Sequence, residues 1–256
     1  MLISVGMYNK INTVYTKSYI NIQRDDNNAN HYHLLYGGSE MALIGIMGGT
    51  FNPIHNGHIH IAKAAYEQFS LDEIWFMPNH IPAYKSDEEL ISGEDRIHMV
   101  DLAIEDFPYF LSTDFELKRE GPTYSAETFS LLHEQYPEHS FFFIMGADSL
   151  FYFEKWKNPE IILRNASILV APRDEKDEAD ILTKIRELNT AFDSDSFFLI
   201  GCSNIPCSSS EIRSKLHLES YRNPSNISQN ADTLCVPIQV LQYIIEKSFY
   251  FIDHDS

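Results

Sequence analysis

The residues best placed to do chemistry form one run, Gly48-Gly49-Thr50-Phe51-Asn52-Pro53-Ile54-His55-Asn56-Gly57-His58. Gly48 and Gly49 let a backbone approach a ligand closely. His55 and His58 have the spacing that brings two side chains together on one side of a helical turn, beside the free N–H groups of a helix start, which attract phosphate. Two imidazoles there can donate hydrogen bonds to charge growing on a phosphoryl oxygen, the stabilisation that phosphoryl-group transfer needs. A His-x-Gly-His taken alone also fits core or surface histidines; the Gly-Thr-Phe and the apolar run ahead of it sharpen the assignment. A zinc site does not fit, because no further His, Cys or carboxylate stands at a ligand spacing nearby.

A strand and a helix must hold that run. Leu43 to Met47 leads into it, and His58 to Phe69 follows with Ile59, Ala62, Tyr66 and Phe69 on one stripe. Glu73 to Met77, Phe141 to Met145, Ser167 to Ala171 and Phe197 to Ile200 are also strand-length, rich in β-formers and nearly unbroken, as strands buried on both faces are. Asp95 to Ile104 follows Ser92 in a Ser-x-x-Asp capping arrangement, and Thr123 to Tyr136 and Glu178 to Phe192 add two more helices. This repeated βα order predicts an α/β fold, a Rossmann-like, doubly wound, mainly parallel sheet with helices on both faces. The histidine run then lies at the carboxyl end of the first strand, where open α/β sheets bind their ligands.

The 256 residues suffice for one large α/β domain, and 44% apolar with 13% aromatic residues belongs to a globular chain. A net charge of -18 argues against a nucleic-acid partner, since that affinity comes from Lys and Arg neutralising phosphates. Any phosphate site is then a local positive pocket in an acidic body. No apolar run reaches the roughly 20 residues that cross a bilayer, so no membrane partner is expected. Cys202, Cys207 and Cys235, odd in number and without metal spacing, are expected as reduced thiols in a cytoplasmic setting. Residues 1–40 include the polar run Asp25 to Asn30 and the linker-like Gly37-Gly38-Ser39-Glu40; they are expected to be a flexible, non-core extension, with the catalytic domain over 41–256.

Together these residues resemble the HxGH signature of the nucleotidyltransferase superfamily, in its nicotinate-mononucleotide adenylyltransferase version. Further matches follow in order: Pro82-Ala83-Tyr84-Lys85, Arg96 with Met99, Glu116-Leu117-Lys118-Arg119-Glu120-Gly121-Pro122-Thr123-Tyr124-Ser125, Gly146-Ala147-Asp148-Ser149-Leu150, Trp156, Pro172-Arg173, and Ser208-Ser209-Ser210-Glu211-Ile212-Arg213. The likeness runs over residues 42–251. It implies transfer of AMP from ATP to nicotinate mononucleotide, the 5′-phosphate attacking the α-phosphorus directly and pyrophosphate leaving. On this resemblance His55, His58, Lys85 and Arg213 are the catalytic residues that meet the phosphates. Gly48, Gly49, Thr50, Phe51, Gly146, Asp148, Ser208, Ser209 and Ser210 bind ATP, with Asp148 on the ribose hydroxyls. Tyr84, Thr123, Tyr124, Ser125 and Trp156 bind the second nucleotide, Trp156 offering a flat face to a pyridine ring. Mg²⁺ rides on the ATP phosphates, with no carboxylate cage of its own. A homo-oligomer is compatible with all of this.

The sequence departs from the family pattern at Asn52, where Asp is usual, at Ala83, at Tyr84 in place of His, and at Ser125 in place of Thr. A phenol at 84 donates a hydrogen bond but carries no positive charge at neutral pH. Nicotinamide mononucleotide or another phosphorylated acceptor is the alternative substrate, and a catalytically silent nucleotide-binding regulator is the alternative outside enzymes.

Overall fold

A computed structural model of the chain describes residues 41–80, 90–172 and 177–251. The expectation for residues 1–40 therefore lies outside the described residues, as do the assignments to Tyr84 and Lys85. Six strands form one sheet: β1 (Leu43–Gly49), β2 (Glu73–Pro78), β3 (Phe110–Ser112), β4 (Ser140–Gly146), β5 (Ala166–Ala171) and β6 (Phe197–Leu199). Their order is β3-β2-β1-β4-β5-β6, and every neighbouring pair is parallel. This is the expected doubly wound, Rossmann-like α/β fold, with its reversal of strand order between β1 and β4. All six residues of β2 are buried, which explains why its sequence shows no polar alternation. Gly45 in β1 is required by packing: a Cβ there would come within 2.5 Å of Ile74 Cδ1 and 2.9 Å of Leu71 Cδ1.

The helices around the sheet are α1 (Asn56–Phe69), α2 (Gly93–Ile104), α3 (Ser125–Gln135), α4 (Ala147–Leu150), α5 (Pro159–Asn165), α6 (Glu178–Ala191), α7 (Ser209–Leu216), α8 (Ile227–Leu234) and α9 (Ile238–Lys247). α1 buries Ile59, Ala62, Ala65 and Phe69. Tyr66, expected on that stripe, is half-buried instead and stacks on Tyr109 with ring centroids 3.9 Å apart. α2 starts as its sequence predicts, the Ser92 hydroxyl accepting from the Asp95 N–H at 3.0 Å. α9 is tied to α2 by the Tyr243 hydroxyl, which donates to Asp95 Oδ1 at 2.8 Å.

Two features differ from expectation. β3 was not foreseen, because three residues are too few to show a period. Cys207 and Cys235, expected as reduced thiols, are joined in a disulfide, their Cα atoms 6.1 Å apart; the fold sets the loop before α7 beside the end of α8, a proximity that spacing along the chain does not reveal. Cys202 is a free thiol, as expected. Among the described residues no helix is long and apolar enough to cross a membrane.

Glu73, the first residue of β2, is buried and accepts from Trp75 Nε1 at 2.7 Å. Burial pushes its carboxyl above the ordinary value of 4.5, with the indole donor opposing and Asp72 adding to the rise. A raised carboxyl favours the fold at low pH, and that contribution is lost as pH rises through the folded-state value. Glu73→Gln keeps an acceptor for the indole and removes the buried charge. Urea unfolding is expected to show this variant more stable than the parent at pH 7, with the difference vanishing once pH falls below the ordinary carboxylate range.

Candidate active site

A cleft of about 460 Å³ opens where β1 and β4 end side by side, at the reversal of strand order. Its walls include Gly48, Gly49, Thr50 and Phe51 from the end of β1, Gly146 and Asp148 from the end of β4, and His55 and His58 from the start of α1. Ser208, Ser209 and Ser210 close it on one side, and Thr123, Ser125 and Trp156 on another. A second hollow of about 290 Å³ shares His55, His58, Asp148 and Ser208 with the first and extends to His60, Pro172 and Ser203. The two hollows adjoin at these shared residues.

The histidine pair is fixed by the helix it begins. His55 is the N-cap of α1, with extended backbone (φ −146°, ψ 168°), and its N–H donates to His58 Nδ1 at 3.2 Å. Accepting at Nδ1 leaves Nε2 of the neutral His58 ring to carry the proton, so Nε2 is the donor. The two rings stack with centroids 3.7 Å apart, and the edge of Phe51 packs against His58 at 5.1 Å. His55 is only 4% exposed. Gly57 leaves room for the stack, because a Cβ there would stand in tight contact with His55 Nδ1, at 3.0 Å, and the Cys207 Cβ, at 3.4 Å.

The serine run brings a second helix start to the same place. Ser208 caps α7, its hydroxyl accepting from the Glu211 N–H at 3.1 Å. The Ser209 hydroxyl donates to the Pro53 carbonyl at 2.9 Å, and Arg213 Nη1 donates to the Asn52 carbonyl at 2.9 Å. Arg213 is thus not a wall of the cleft but is anchored on the loop that carries the histidines. The start of α7 and the two imidazoles share one cleft, which suits anionic oxygens, while at the start of α1 the Asn56 N–H donates to the Cys235 carbonyl and the His58 N–H to the His55 carbonyl, each at 2.9 Å. Among the described residues no group of three or more His, Cys, Asp and Glu is arranged to hold a metal ion.

The other wall is built around Glu116, to which the sequence assigned no role. Thr123 and Thr128 hydroxyls donate to its two carboxylate oxygens at 2.9 and 2.5 Å, and Arg119 Nη1 donates to Thr128 Oγ1 at 2.8 Å. Trp156 stands against Phe143 and Phe153 with one side toward the cleft. Tyr124 does not line the cleft; its ring lies under Lys157 Nζ, 4.0 Å from the centroid. Arg96 was also given no role. It is 1% exposed and its guanidinium donates to the carbonyls of Thr50 and Asn79 at 2.8 Å each, and to His80 and Ile91 at 3.2 and 3.3 Å. Burial lowers its pKa. Its place in an Arg-x-x-Met helix was the available signal, but a buried Arg serving four carbonyls leaves no local pattern.

Comparison with known proteins places the chain in a family. Residues 46–215 match the cytidylyltransferase-like family model. A probable nicotinate-nucleotide adenylyltransferase of Lachnoclostridium phytofermentans is 44% identical over 210 residues, covering 82% of this chain and all of that relative. The chain belongs to the nicotinate-nucleotide adenylyltransferase family. A second member, from Dehalococcoides mccartyi, is 35% identical and covers 80% of this chain and 96% of its own length. Among solved structures, the Plasmodium falciparum nicotinic acid mononucleotide adenylyltransferase complexed with APC superposes with a TM-score of 0.62, at 22% identity, over 82% of this chain and 97% of that one. At that identity the likeness supports the adenylyltransferase fold, and the residues of the cleft must speak for themselves.

The Ser208 cap gives a direct check on this wall of the site. Ser208→Ala removes the acceptor for the Glu211 N–H and is expected to lower stability by about 1 kcal/mol, read as a shift of the urea midpoint at unchanged slope.

Proposed function

We propose that this chain transfers AMP from ATP to nicotinate mononucleotide, giving deamido-NAD and pyrophosphate. The observation that carries the proposal is that one cleft has Gly146, Asp148 and Ser208 to Ser210 among its walls together with Thr123, Ser125 and Trp156, and also holds His55 and His58, so two nucleotides bound there can meet at the histidines. An oxygen of the mononucleotide 5′-phosphate attacks the α-phosphorus of ATP; a new P–O bond forms, the bond from the α-phosphorus to the β,γ-pyrophosphate breaks, and pyrophosphate leaves with the bonding electrons. No covalent enzyme intermediate is needed, so catalysis is positioning plus stabilisation of charge.

In this assignment His58 Nε2–H donates to the oxygens of the reacting phosphate, and the N–H groups at the start of α7 with Arg213 hold the rest of the triphosphate. His55, buried beneath His58, orients it. Asp148 accepts from ribose hydroxyls, and Gly146 lets the strand end approach the sugar. Trp156 supports the pyridine ring, while Thr123 and Ser125 supply donors to the nicotinate carboxylate. Glu116, with both oxygens occupied by threonine hydroxyls, fixes that segment. Mg²⁺ carried on the ATP phosphates would offset part of their charge, with no residue of this chain assigned to hold it.

Full-length protein with ATP, Mg²⁺ and nicotinate mononucleotide is expected to release pyrophosphate, and more slowly with nicotinamide mononucleotide; the reverse order would overturn the acceptor, and no release with either would overturn the activity. His58→Ala is expected to lower kcat by about 10²- to 10³-fold, the loss typical of removing one oxyanion donor, while calorimetric ATP affinity changes little. An unchanged kcat would remove His58 from the reaction.

A further inference from the structure

The last described residues make a contact that the site does not explain by itself. Beyond α9 the chain turns through Ser248 (φ 56°) and Tyr250 (φ 62°). Ser248 is the C-cap of α9, where left-handed backbone is common. Tyr250 ends no helix, and a bulky residue in that conformation persists only where its surroundings hold it. One contact ties it to the catalytic loop: the Tyr250 hydroxyl donates to Asn52 Oδ1 at 2.7 Å, across 198 positions of sequence.

Asn52 is 6% exposed and sits between Phe51, a wall of the cleft, and Pro53. Its carbonyl accepts from Arg213 Nη1 at 2.9 Å, and the carbonyl of Pro53 accepts from Ser209. The Ile91 N–H reaches the same Asn52 Oδ1 only at 3.5 Å. The phenol therefore provides a short hydrogen bond to the side chain whose own carbonyl accepts from the Arg213 guanidinium. From this geometry we infer that Tyr250 is a positioning residue, which acts through Asn52 to fix the carbonyl that aims Arg213 at the ATP phosphates. This rests on the proposed function only in taking Arg213 as a triphosphate ligand.

Tyr250→Phe in the full chain removes the hydroxyl and keeps the ring. Calorimetry with Mg–ATP is expected to show Kd raised about three- to tenfold, the loss of one hydrogen bond's effect, with KM for ATP raised alike. KM for nicotinate mononucleotide stays within about twofold, and the melting temperature changes little. In an Arg213→Ala background the same substitution is expected to have no further effect on ATP affinity, since the two act in series. Unchanged ATP affinity in Tyr250→Phe, or the same factor lost in both backgrounds, overturns the inference. A fall in melting temperature with both KM values rising together would also overturn it, marking general loosening instead. If the parent binds ATP but transfers to no acceptor, the proposed activity fails while the calorimetric comparison still decides on Tyr250; a parent that binds no ATP overturns both.

Discussion

The hydrogen bonds from Arg213 to the Asn52 carbonyl and from Ser209 to the Pro53 carbonyl join stretches of chain 161 and 156 positions apart. They set the beginning of α7 against the beginning of α1, so that two helix starts face one hollow. In a chain of net charge -18 the overall field repels a triphosphate. Attraction must therefore come from short-range, fixed donors, and only this docking gathers enough of them. The parallel sheet supplies the frame, because the reversal between β1 and β4 leaves a crevice at their carboxyl ends that no crossover helix fills.

The rest of the molecule serves to keep that crevice in shape. Arg96, buried at the foot of α2, gathers the carbonyls of Thr50, Asn79, His80 and Ile91, and so binds the loop after β1 to the loop after β2. A guanidinium suits this task because its five donors lie in a rigid plane. Leaving it with fewer partners would strand buried charge, which is far costlier than any one of these bonds is favourable. On the far wall Glu116 plays the complementary part as an acceptor, with Thr123 and Thr128 as its donors.

Much of this was legible in the sequence where the signal is local. The β1–loop–α1 unit shows itself as an apolar run, glycines and a histidine pair within 27 residues of chain, Leu43 to Phe69. Ser92 was recognised as a cap by its own spacing. The fold class followed from the repeated alternation of short buried strands with helices. What stayed hidden depends on contacts between distant residues. β3 is too short to have a period, the Cys207–Cys235 pair joins residues 28 positions apart, Glu116 and Arg96 act through hydrogen bonds that no local pattern marks, and Tyr250 meets Asn52 across 198 positions. Tyr124 shows the opposite failure: its neighbours Thr123 and Ser125 line the cleft, but the turn into α3 points its ring to Lys157.

Gly57 gives the spacing of the histidine signature a mechanical origin. With hydrogen in place of a methyl, the first turn of α1 leaves room for the ring of His55 close to Gly57, and the ring of His58 stacks on that ring. The intervening glycine is thus a mould for an aromatic pair rather than a hinge. Its smallness, at a point where backbone freedom is not in demand, is what lets two imidazoles share the width of a single helical turn.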